Sequence, residues 1–163
     1  MEYRDLYDEN RNLTGEKILS TDEIPQGKFI LMVVIFIENS KGEFLIQKRV
    51  ASKGGSWATT GGHPKSGESS LEGIKTEVKE ELGIDITNPI LFKKASGKGT
   101  FCDLYFLKQD IDISNITIQE DEVDEVKWAS IDKINSLMEN GTFKKGHYMM
   151  LKDCLNFLQN KES

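Results

Sequence analysis

Glu77, Glu80 and Glu81 lie in the run Thr76-Glu77-Val78-Lys79-Glu80-Glu81-Leu82-Gly83, whose residue types suit a helix. At helical spacing the three carboxylates take azimuths of about 0, 300 and 40 degrees, so all can face one cleft while the Leu71, Ile74 and Val78 side faces a core. Like charges gathered in this way destabilise a helix, and a divalent cation would relieve that cost. The ligands on offer are oxygens, with a backbone carbonyl available from Gly61-Gly62, a set that suits Mg2+ or Mn2+ better than zinc. The two histidines, His63 and His147, form no close ligand pair in the sequence. A magnesium site in turn implies a substrate that brings phosphate oxygens of its own, and so hydrolysis or transfer at a phosphate. The competing reading is a plain solvated face of glutamates, which are strong helix formers.

Ahead of the helix runs the loop Gly62-His63-Pro64-Lys65-Ser66-Gly67-Glu68, in which His63 and Lys65 can contact a phosphate or only shape the surface. Pro64 stiffens the loop. Arg49 closes an apparent strand and would emerge near this loop, as a phosphate ligand or a solvent contact. Trp57 reads equally as a core cover or a stacking platform, while Trp128 is expected to pack against the final helices. Cys102 and Cys154 are far apart, each in an apolar setting, and read as buried free thiols.

Elements must bring these groups together. Residues 29–37 are apolar and rich in β-branched side chains, which predicts a central strand with a hairpin-like return through residues 43–49. A short extended segment at 56–60 precedes the helix, predicted over residues 69–82, with Ser69 and Glu72 as a capping box and Gly83 as a left-handed stop. Strands are predicted at 89–94 and 100–107, and helices at 131–138 and 147–158. The order predicts a mixed β-sheet covered by helices on both sides, in a single domain over residues 1–163 with an N-terminal strand extension at about 1–28.

The 21 Lys and Arg against 27 Asp and Glu give a net charge of -6, and the pI is about 5.1. Such a surface disfavours extended nucleic acid and anionic membranes as partners. A small phosphate compound remains compatible, because a bound cation inverts the field of an acidic cleft. With no signal-peptide pattern and no stretch long enough for a bilayer, the expectation is a cytoplasmic monomer or homodimer.

Gly62, Glu68, Glu77, Glu80, Glu81 and Gly83, with Val78 and Ile84 at the aliphatic positions, resemble the signature of the Nudix hydrolase family. The resemblance implies an α/β/α sandwich whose loop-helix-loop binds magnesium and the diphosphate of a nucleoside diphosphate or a related organic diphosphate. By position it makes Glu80 and Glu81 the main carboxylate ligands, Glu77 a ligand or an activator of water, and the Gly62 carbonyl a further ligand. Glu68 would secure the loop or reach a metal, and Glu122, ahead of Glu120, matches a further ligand or base found after the strands. One position departs: the family arginine before the helix's first glutamate is Thr76 here, so the pairing it provides is lost or comes from elsewhere. The N-terminal segment and the Trp57 to Pro64 region also resemble the branch that includes isopentenyl diphosphate isomerase, but Gly61-Gly62 stand where that enzyme has its catalytic Cys. The alternatives are therefore an isomerase-like activity and a non-catalytic nucleotide-binding regulator.

Overall fold

The computed structural model describes residues 2–162. Strand β1 (Tyr3–Tyr7) and strand β2 (Leu13–Leu19) pair as an antiparallel hairpin of their own. The main sheet is built from β3 (Ile30–Glu38), β4 (Phe44–Arg49), β5 (Trp57–Ala58), β6 (Thr60–Gly62), β7 (Ile90–Gly97), β8 (Thr100–Lys108) and β9 (Val123–Ala129). Helix α1 (Ser70–Leu82) follows β6, and α2 (Ile131–Glu139) and α3 (Lys145–Glu162) close the chain. β3 and β8 run parallel through the middle over their full lengths, while β7 on β8 and β9 on β4 are antiparallel, so the sheet is mixed.

Alternation along β3 divides the core. Val34 and Phe36 join Leu104, Ile134, Leu151 and Cys154 beneath α2 and α3. Val33, Ile35 and Ile37 join Ile74, Val78 and Leu82 beneath α1. Each fully buried aliphatic side chain contributes about 1.5–3 kcal/mol against exposure, which is why an apolar run this unbroken becomes the strand at the centre. The result is the α/β/α sandwich.

Three readings from the sequence need correction. Leu71, assigned to the core face, is 41% exposed, whereas Ile74 and Val78 are fully buried. Its azimuth suits the core, but it sits in the first turn, and azimuth does not say where along its length a helix meets a sheet. The return after β3 closes only at the Glu38–Phe44 pair. Beyond it, β6 takes the edge of β3 at Val33–Ile35 while β4 pairs with β9 and β5. Trp128 packs in the cluster under α1, donating its indole N–H to the Ile111 carbonyl at 3.0 Å, and does not cover the final helices.

The N-terminal hairpin is bolted to the loop before α1. The Asp5 carboxylate accepts from the Ser66 hydroxyl at 2.6 Å and from the Gly67 N–H at 3.0 Å, and the Ser66 N–H donates to the Tyr3 carbonyl at 2.8 Å. At its turn, Arg11 pairs with Asp103, a fully buried carboxylate on β8 that also accepts from Ser70 at 2.6 Å in the first turn of α1.

Candidate active site

The rotation of α1 is set by Ile74, Val78 and Leu82, all at 0% exposure, and its ends by the two predicted caps. Ser69 and Glu72 exchange hydrogen bonds at 3.0 and 3.1 Å, and Gly83, at φ 69°, returns its N–H to the Lys79 carbonyl at 2.9 Å. This leaves Glu77, Glu80 and Glu81 lining a cleft of 530 Å³ at the split between β4 and β6.

Glu81 is 5% exposed and accepts from Gln47 Nε2 at 3.2 Å. Gln47 is itself oriented by the Thr60 hydroxyl, which donates to its Oε1 at 2.7 Å. The chain Thr60–Gln47–Glu81 thus spans the split in the sheet. It satisfies only one Glu81 oxygen, and Oε2 is buried with no partner. Burial pushes the Glu81 carboxyl up to about 7, against the lowering effects of Gln47 and Arg49. Glu77 is pushed up to about 8, first by burial and then by the charges of Glu81 and Glu80. The Gly62 backbone approaches Glu77 so closely that a Cβ at position 62 would overlap the carboxyl group and displace it.

The other candidates separate into two groups. Arg49, His63 and Glu122 line the same cleft, with Arg49 Nη2 3.2 Å and Lys53 Nζ 3.1 Å from the Glu122 carboxylate. Lys65 and Glu68 do not line it. Lys65 Nζ reaches Glu80 at 2.5 Å, which raises its pKa, while Glu68 accepts from the Lys65 backbone N–H at 2.7 Å and the Thr76 hydroxyl at 2.6 Å. Thr76 therefore holds Glu68 through a hydroxyl, and a lysine of the loop answers Glu80. Glu120, the second choice to Glu122, is outside the cleft lining.

Sequence reasoning missed Gln47, Lys53, Arg4, Lys144 and His147, all of which line the cleft. Gln47 had a signal: it is a polar residue following three apolar ones on a strand whose first four positions are all buried. Arg4 and Lys144 had none, since they arrive from opposite ends of the chain.

Among the described residues, no three His, Cys, Asp or Glu side chains are drawn together as a ready cation cage. Side-chain partners account for this: Glu80 is held by Lys65, Glu81 by Gln47, and Glu122 by Arg49 and Lys53. The donor chemistry nevertheless fits a hard cation. Glu77 and Glu81 are desolvated carboxyls, one with an orphaned oxygen, beside a backbone that a side chain would block.

Among the described residues, no helix is long and apolar enough to cross a membrane. A Nudix hydrolase of Listeria innocua is 35% identical over 150 residues, 88% of each chain. An isopentenyl-diphosphate Delta-isomerase of Aromatoleum aromaticum is 25% identical over 114 residues, covering 63% of this chain and 59% of that one. The crystal structure of DR0079 from Deinococcus radiodurans superposes with a TM-score of 0.73 at 25% identity, over 92% of this chain and 96% of that one. Residues 28–154 match the NUDIX domain, a span that takes in the central strands, the acidic helix and all of the cleft lining except Glu2, Arg4 and Ser20. On the domain match and the relative together, the chain belongs to the Nudix family as a Nudix-type hydrolase.

Proposed function

We propose that the chain is a magnesium-dependent hydrolase of a diphosphate linkage in a nucleoside diphosphate or a related organic diphosphate, acting as one cytoplasmic domain in which Mn2+ can replace Mg2+. The observation that carries this reading is the buried, half-satisfied Glu81 beside Glu77 on a helix that faces the Gly62 backbone. Glu77, Glu80, Glu81 and the Gly62 carbonyl would hold the ion, which when bound neutralises charge developing on phosphate and lowers the pKa of water. Gln47 keeps Glu81 in one rotamer, and Lys65 must release Glu80 for all three carboxylates to serve the cleft. Glu77 or Glu122 can accept the proton of the attacking water, and Arg49 and His63 face the same space for phosphate contacts.

The isomerase relative supports a second reading, an isomerase-like activity on an isoprenoid diphosphate. Its catalytic thiol has no counterpart in the cleft: Cys102 and Cys154 are buried elsewhere, with burial pushing the thiols up to about 11 and about 12. A panel of nucleoside, nucleoside-sugar and isoprenoid diphosphates, with and without Mg2+, tests the proposal. Magnesium-dependent release of a monophosphate product from at least one member is expected. Isomerised product without hydrolysis would favour the second reading, and no turnover of any member would favour a binding role.

A further inference from the structure

The cleft that α1 lines also carries a concentration of donors that the carboxylates do not answer. Arg4 reaches it from β1 and Lys144 from the residue before α3, and neither has a carboxylate within 4.0 Å among the described residues. His147, in the first turn of α3, is 5% exposed and lines the same cleft. Its Nδ1 lies 3.2 Å from the Thr59 backbone nitrogen, a donor by necessity, so Nδ1 is the acceptor and the ring proton sits on Nε2. The Thr59 hydroxyl, 2.8 Å away, donates to the same nitrogen. Nε2–H has no protein acceptor among the described residues. Burial first, then the charges of Lys144 and Arg49, keep the ring neutral.

These groups are not loosely held. The Trp57 N–H donates to the Thr142 carbonyl and the Lys144 N–H to the Trp57 carbonyl, each at 2.8 Å, so Lys144 is stitched to β5 immediately before Thr59. Buried Phe143 anchors the stitch. Arg4 is fixed between Tyr3 and Asp5, both bonded to the loop before α1. Arg49 adds a buried Nε with no partner. Cations crowded into a cleft at mutual cost, beside a neutral N–H donor held to a single tautomer, are what an anion site requires.

The charges of Arg4 and Lys144 both act on His63, and that of Lys144 acts on His147, so the three groups share one part of the cleft. We propose that Arg4, Lys144 and His147 form an anion-holding subsite there, which binds one phosphate of a substrate whose other phosphate lies against Glu77 and Glu81. This rests on the diphosphate reading above and deepens it by assigning this chain's own residues to the second phosphate. Arg4 lies outside the matched NUDIX span of residues 28–154, so the N-terminal hairpin contributes to recognition as well as to the fold.

Methylene diphosphonate, which cannot be hydrolysed at its bridge, is the binding probe, with orthophosphate for comparison and Mg2+ present throughout. Arg4 is half-buried and Lys144 exposed, so retained folding of Arg4→Gln and Lys144→Gln is checked by urea unfolding, and each should weaken diphosphonate binding about tenfold, the worth of one charge-assisted hydrogen bond. KM for the turned-over diphosphate should rise by the same factor, with kcat within about twofold. Orthophosphate should bind the wild type at least about tenfold more weakly than the diphosphonate. His147→Gln, which retains an N–H donor, should bind more tightly than His147→Ala, a difference that a merely structural role for the ring would not give. Diphosphonate binding within twofold of wild type in both Arg4→Gln and Lys144→Gln would overturn the subsite. Binding that depends on Arg4 and Lys144 in a protein that hydrolyses no diphosphate would uphold the subsite and overturn the hydrolase reading alone.

Discussion

Thr76 replaces an arginine of the family pattern, and its hydroxyl bonds to Glu68. Thr76→Val keeps the shape and removes that donor, leaving Glu68 with the Lys65 N–H alone; a loss of about 1–2 kcal/mol in urea unfolding is expected, with Thr76→Ser close to wild type. Equal midpoints for all three proteins would remove the bond from the account. His147 offers a pH test. Its folded pKa is lowered to about 3 from an ordinary 6.5, so the unfolded chain takes up the proton first as pH falls. Its contribution is fully present above about 6.5 and is lost as pH drops from there toward 3. Lys144 and Arg49 oppose protonation, Glu77 and Glu81 line the same cleft, and His63, lowered to about 4, acts in the same direction as His147. Urea midpoints between pH 7 and 4.5 should therefore fall less steeply for His147→Gln than for wild type; parallel curves would contradict the assignment. The acidic trio could be read from spacing, because helical azimuths are local geometry. The histidine could not, since its partner Thr59 lies 88 positions away.

Elements rather than residues explain why the loop before α1 is so firmly placed. The N-terminal hairpin clasps it through Asp5 and Tyr3 and clasps the start of α1 through Arg11, Asp103 and Ser70. Arg11 adopts φ 66°, in the left-handed region that non-glycine residues seldom occupy, and its charge answers a carboxylate at 0% exposure. Arg11→Met should cost about 2–4 kcal/mol, the lower range for breaking a buried pair because Arg11 is itself 25% exposed, and adding Asp103→Asn should recover part of the loss. A double variant no more stable than the single one would show that the buried charge is not what matters. The capped helix and the central strand were legible because caps and apolar runs are written in adjacent residues. The parting of β3 from β4 was not: residues 43–49 carry a strand pattern, but nothing in that pattern says that β6 and β9 compete for its neighbours.

At the scale of the molecule, the sandwich brings groups of opposite character into one cleft. Helix α1 supplies the desolvated carboxyls of Glu77 and Glu81, and segments from both ends of the chain supply Arg4, Lys144 and His147. A net charge of -6 hides this arrangement, since the whole-chain sum is indifferent to which groups meet. On the proposed reading the acidic helix serves a cation-dependent hydrolytic site, in which Glu81 is buried with one oxygen unpartnered. The direct measurement is phosphorus NMR of diphosphate turnover at saturating substrate and Mg2+, comparing wild type with Glu81→Gln, whose retained fold is checked by urea unfolding. Monophosphate product is expected from the wild type, with a kcat lower by roughly 100-fold or more in the variant, as for loss of a group acting in the transition state; equal turnover by the two proteins would remove Glu81 from the hydrolytic site.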